Sequence, residues 1–188
     1  MKRWLICAAT AGALVSLHGY SVLGAQLPAG GNIGRHVRYL DDRIEEVASI
    51  VYAQSPAFRA LVADLESSDV VVYVERGRCM RGAVRSCLHI MTSRGGVRYM
   101  RVTLDSHRPL VVVVAQLAHE LHHATEVADR PQVIDDRTLS SLYREIGFEC
   151  RNRAGIVGQC WETEAAIDRE REVQQQVMAM HSIAANMP

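Results

Sequence analysis

Residues 109–118 read Pro-Leu-Val-Val-Val-Val-Ala-Gln-Leu-Ala and run without a break into His119-Glu120-Leu121-His122-His123. A helix with no polar stripe has to be covered on every side, so this segment predicts a central, buried helix over 109–127. Two histidines and a glutamate that continue such a helix are costly to bury unless something satisfies them. The chain must therefore enclose the helix and also bring a polar partner, or a metal, to its second half.

Each helical residue advances by about 100°, so His119 and His123, four positions apart, stand one above the other on one face. The spacing H-E-x-x-H lets them offer two imidazole nitrogens to one Zn²⁺. Glu120 lies about 100° round, beside the ion rather than on it, where it can accept a proton from a bound water. The pattern resembles the zincin metallopeptidases, and His-Glu-Leu-x-His-Ala is most similar to the gluzincin, thermolysin-like branch. The resemblance covers this helix and, less closely, a second segment near Trp161. The metzincin pattern needs a Gly and a third His soon after the second ligand, whereas here Glu126, Asp129 and Arg130 follow. What the resemblance implies is a small α+β zincin-like domain that hydrolyses peptide or amide bonds of a peptide or protein substrate. It also implies a short antiparallel sheet before the active helix, Glu120 as general base, and a third ligand from a glutamate on a C-terminal helix.

That third ligand is sought in Trp161-Glu162-Thr163-Glu164-Ala165-Ala166-Ile167-Asp168. Glu162 and Glu164 are two residues apart, about 200° on a helix, so only one can face the metal. Glu164 with Asp168 matches the family spacing E-x-x-x-D. Helical phase favours Glu162, because Ala166, Val173, Val177 and Met180 mark the apolar face while Glu164 shares the polar side with Asp168, Arg171 and Gln175. Glu126 follows His123 by about one turn and is expected to support a ligand rather than be one. His122 is expected at the surface or close to the metal site. Peptidases of this kind add a Tyr or His that stabilises the oxyanion. Tyr143, between the two motifs, is the candidate, with Tyr99, His107 and His181 as alternatives.

The rest of the chain is organised around this helix. Lys2 and Arg3 precede an apolar run from Trp4 to about Leu17, with small residues at Gly24 and Ala25. This reads as a signal peptide over 1–25, hence a secreted or periplasmic protein with one domain over 26–188. Four cysteines follow, and local pairs Cys79–Cys87 and Cys150–Cys160 are expected in an oxidising compartment. The 21 basic and 21 acidic residues cancel, so no bulk charge argues for nucleic acid, and no later stretch spans a membrane.

A helical part over 36–66 is expected, with a first helix from His36 to Tyr52 carrying Val37, Leu40, Ile44, Val47 and Val51 on one face. Ser55-Pro56 opens a second helix there. His36 reads as a surface residue. A sheet over 69–105 follows, with strands at 70–74, 88–91 and 97–104 and a turn at Arg94-Gly95-Gly96. Arg98 and Arg101 are expected on its solvated face. Helices over 135–184 close the chain, one from Asp135 or Asp136 to Gly147 and one from about Trp161 to Ala184. The competing function is an exported metal-binding or interaction protein on the same scaffold without turnover, which has no need of Glu120. A di-iron carboxylate bundle would require a second E-x-x-H, and the chain has none.

Overall fold

A computed structural model describes residues 34–79, 86–105, 107–149 and 160–185, with side chains described only to residue 180. The expected signal peptide lies outside these residues. The class is α+β: among the described residues there are five helices, a four-stranded sheet and a two-stranded one. The elements are β1 (Val37–Tyr39), α1 (Asp42–Gln54), α2 (Pro56–Glu66), β2 (Val70–Arg76), β3 (Ser86–Arg94), β4 (Val97–Leu104), α3 (Leu110–Ala128), α4 (Asp136–Ile146), β5 (Phe148–Glu149), β6 (Trp161–Glu162) and α5 (Glu164–Ala185). No described helix is long and apolar enough to cross a membrane.

The larger sheet has the order β1-β2-β4-β3 and is mixed, not antiparallel as expected. β1 runs parallel to β2, and β2 parallel to β4, with Val72 opposite both Val37 and Met100. Only β3 and β4 form an antiparallel hairpin. Its turn is Gly95-Gly96, at φ +61° and +78°, the left-handed conformations that a two-residue hairpin turn requires and that glycine adopts without strain.

The first helix is shorter than its periodicity suggests. Val37 and Tyr39 are buried and Arg38 between them is half-buried, so these three residues alternate as a strand. Three residues of alternation are too few to stand out against a helical stripe that reuses Val37. Leu40, assigned to that stripe, is 61% exposed. Asp41 caps α1 by accepting from the Ile44 N–H, and Ser55 caps α2 by accepting from the Phe58 N–H, with Pro56 opening the helix as its spacing predicts. His36 is half-buried, and its Nδ1 lies 2.9 Å from the Leu65 carbonyl.

One face of the sheet, carrying Val70, Val72, Val74, Met100, Val102 and Leu104, packs with α1, α2 and α3 into a single core. α3 lies within it: Val113 through Leu121 are all buried, as are His123, Ala124 and Val127. Arg98 departs from its expected place on a solvated face, being 1% exposed. Its Nε and Nη2 form a fork on the two oxygens of Asp69. Nη1 donates to the carbonyls of Val127 (2.7 Å), Arg130 (2.8 Å) and Val133 (3.2 Å), and Nη2 to that of Ala128 (3.1 Å). The last carbonyls of any helix lack intrahelical partners, and here a guanidinium from β4 supplies the donors. Arg101 does stay exposed, 3.9 Å from Glu75.

Cys79 and Cys87 are disulfide-bonded across a separation of 8, which indicates an oxidising environment. Cys160 is also disulfide-bonded, and the expected pairing with Cys150 involves a residue outside the described ones.

Removing Arg98 takes the fork from Asp69 and a donor from each of four carbonyls, of which those of Val127 and Arg130 keep a backbone N–H. Arg98→Leu is therefore expected to destabilise the fold by about 1–3 kcal/mol, read as a fall in the denaturant midpoint. A change under about 1 kcal/mol would mean that the end of α3 is held by other means.

Candidate metal centre

α3 carries His119 and His123 one turn apart, with both rings buried at 7% and 4% exposure. Their Nε2 atoms lie 3.1 Å apart and the rings meet edge to face at 4.7 Å. Glu162 Oε2 completes the group, 2.8 Å from His119 Nε2 and 3.9 Å from His123 Nε2. No donor is aligned as a hydrogen bond on this buried oxygen. Three ligand atoms thus converge on one point, all within 4.8 Å of one another. Separations of 2.8, 3.1 and 3.9 Å bracket the ~3.3 Å edge of a tetrahedron built on ~2.0 Å bonds, a spacing that suits three ligands of one metal ion. The donor set and the orphaned carboxylate oxygen fit a divalent metal ion.

Glu162 reaches this point from β6, not from a helix. α5 begins only at Glu164, because Thr163 caps it: the Ala166 N–H donates to Thr163 Oγ1 at 3.1 Å. Helical phase therefore does not govern Glu162, which lies outside α5. Glu164 is exposed in the first turn of α5. Of the supposed apolar face, Ala166, Val173 and Val177 are buried while Met180 is 46% exposed. β6 is held by pairing with β5, Phe148 opposite Glu162, and by Gly147 at the end of α4. A Cβ at Gly147 would sit 2.5 Å from the Glu162 carbonyl oxygen and 3.0 Å from that of Tyr143. Only glycine lets the strand come this close.

Carboxylates stand behind both imidazoles. Glu126 Oε2 lies 2.7 Å from His123 Nδ1, while its Oε1 accepts from Thr163 Oγ1 at 2.6 Å and lies 3.7 Å from His122 Nε2. Glu170, from α5, places Oε2 3.1 Å from His119 Nδ1, near it but off the line of a hydrogen bond. Thr163, Glu170 and Gly147 were not legible as site residues. The cap at Thr163 was the one available signal, since Thr ahead of Glu-Ala-Ala reads as a helix start. Glu170 is eight residues beyond Glu162 and carries no spacing signature.

Glu120 is 5% exposed. Burial pushes its carboxyl above the ordinary range, opposed by His123, His119 and a hydrogen bond with the Ser86 side chain. It opens on a cavity of about 430 Å³ that also holds His119, His123 and Glu162. One wall is β3, with Ser86, Cys87, Leu88 and His89; another is α4, with Asp136, Leu139 and Tyr143. Tyr143 stacks edge to face on His123 at 5.0 Å, and its hydroxyl donates to the His123 carbonyl at 3.3 Å. Of the alternatives to it, Tyr99 is half-buried on β4 and His107 is exposed beside Asp105. The side chain of His181 is outside the described residues.

Without a metal the cluster holds protons. Burial opposes charge on His119, but Glu162 and Glu170 outweigh it and lift the ring to about 10; His123 is lifted against burial by Glu126 and Glu162 to about 9. Burial likewise opposes charge on Glu162, yet the two histidines draw it down to about 2. The histidines' contribution to metal-free stability is full below their ordinary 6.5 and is lost as pH rises through about 9 to 10. That of Glu162 is full above 4.5 and is lost as pH falls towards about 2.

Comparison with known protein families, curated proteins and solved structures found no match to this chain.

Two outcomes are expected. Zinc added at pH 7 should displace about two protons per ion, measured by calorimetry in buffers of different ionisation enthalpy, and His119→Ala or His123→Ala should abolish uptake. Release of no protons, or full zinc in both variants, would place the metal elsewhere. Gly147→Ala should push β6 outward and weaken zinc binding by roughly 10-fold or more in a chelator competition, since the blocking atom is backbone.

Proposed function

We propose that this protein is an exported, zinc-dependent metallopeptidase of zincin type that hydrolyses peptide or amide bonds. The observation that carries the reading is the buried Glu120 carboxylate, held next to three convergent ligand atoms and open to the same cavity. A structural site has no use for an extra carboxylate at this cost. A zinc ion held by His119, His123 and Glu162 would supply a Lewis acid that polarises a carbonyl and acidifies water.

The chain's own groups do the rest. Glu120 takes the proton of the attacking water and passes it to the departing amine, and its raised pKa suits a base that must also serve as an acid. Ser86, on β3, holds the carboxylate. β3 also offers a place for an extended substrate, since it lies at the edge of the sheet. The Ile90 N–H turns away from β4 to Asp136 Oδ1 at 3.3 Å. Backbone direction alternates along an antiparallel strand, so Leu88 and Ser86 share this outward parity and face the cavity wall. A peptide laid along that edge would bond to Leu88 as an added strand and bring its carbonyl past Glu120. Tyr143 is the donor we assign to the oxyanion, its hydroxyl exchanging the His123 carbonyl for the substrate oxygen. Export is supported by the N-terminal sequence pattern and by the Cys79–Cys87 disulfide.

Glu120→Gln keeps size and polarity but cannot accept a proton. The variant is expected to bind zinc as wild type does while turnover on a peptide library falls by roughly 10²–10⁴-fold. Equal turnover by the variant and the wild type would remove Glu120 from the chemistry.

A further inference from the structure

We infer that Thr163 is a positioning residue for the metal centre: its hydroxyl decides which histidine Glu126 serves, and so orients His123. The inference rests on His119, His123 and Glu162 being the ligands.

Glu126 lies three residues after His123 and four after His122, so one carboxylate can reach either ring on the same helix. Its Oε2 is 2.7 Å from His123 Nδ1, whereas its Oε1 is 3.7 Å from His122 Nε2. Nothing in α3 itself makes this choice. Thr163 does, because its Oγ1 donates to Glu126 Oε1 at 2.6 Å and occupies the oxygen that would otherwise turn to His122. The hydroxyl is fixed in turn: Thr163 is 3% exposed, and Oγ1 accepts from the Ala166 N–H at 3.1 Å. Its one proton therefore has one direction to point.

An ionised carboxylate only accepts, so His123 must present Nδ1–H to it. That leaves His123 Nε2, which faces His119 Nε2 and Glu162 Oε2, as the nitrogen that gives up its proton when a metal binds. Thr163 also follows Glu162 directly in the chain. The residue that ends the strand carrying the third ligand thus sets the ring of the second, and the two halves of the site are brought into register by one hydroxyl.

The test is a double-mutant cycle read as zinc affinity, by competition with a chromophoric chelator at fixed pH, with no activity assay required. Thr163→Val keeps the β-branch but removes the hydroxyl, and Glu126→Ala removes the carboxylate. Each is expected to weaken zinc binding by roughly 10–100-fold. If Thr163 acts through Glu126, Thr163→Val should cost little further in the Glu126→Ala background. Thr163→Ser, which keeps the hydroxyl, should bind zinc close to wild type. Thr163→Val also removes a helix cap, and a purely structural cap would add its full effect in both backgrounds. Additive losses, or no loss in Thr163→Val, would overturn the inference. If Thr163→Val does not fold, Glu126→Gln carries the measurement, because it disturbs no cap, and unchanged affinity there would overturn the inference too. A wild-type protein that takes up no zinc would instead defeat the metal reading itself.

Discussion

The buried Arg98 guanidinium, forked on the half-exposed Asp69, is the constraint on which the rest of the molecule depends. α3 is apolar nearly all round and must sit inside the core, but its C-terminal carbonyls still need donors. In a core of Val, Leu and Met there are few to be had. Arg98 provides them from β4, reaching four carbonyls at and beyond the end of α3 while Asp69 neutralises its charge. The Arg98 fork holds the Asp69 carboxyl below its usual range. A buried guanidinium is expensive unless every donor is used, and here the donors are used. The helix that presents His119, Glu120 and His123 is thereby locked in height against the sheet, and with it the distance from those residues to β3.

The same helix carries a second cost. His119, Glu120 and His123 are all under 8% exposed, and the carboxylates of Glu126 and Glu162 are packed against them. An apolar core would be cheaper at each of these positions. The cluster is tolerable because each histidine has glutamates beside it, with carboxylates standing behind the rings or between them. Glu162 Oε2 and His119 Nδ1 are the exceptions, buried atoms with no aligned hydrogen-bond partner. An ion held by the three convergent ligand atoms would use that oxygen.

Two segments about forty residues apart had to meet for this to happen. β5 and β6 pair over only two residues each, too few to be stable alone. The close approach at Gly147 and the cap at Thr163 hold them. Each acts on backbone position, so the direction of the Glu162 side chain follows from where the strand is placed rather than from any helical phase.

What the sequence determined by itself was local. The run 109–118 with H-E-x-x-H specified a buried helix with two imidazoles on one face, because helical periodicity relates neighbours four apart without reference to the rest of the fold. Ser55-Pro56, Gly95-Gly96 and Asp135 likewise marked ends and turns through their own backbone chemistry. Tertiary structure decided whatever depended on a partner distant in the chain. Val37–Tyr39 became a strand because β2 offered an edge, and Arg98 went inward because a helix end lay there to be capped. Glu162 came to the histidines from a strand outside α5, and Thr163 and Glu170 joined it. A side chain's burial is a property of what faces it, and for these residues nothing nearby in sequence does.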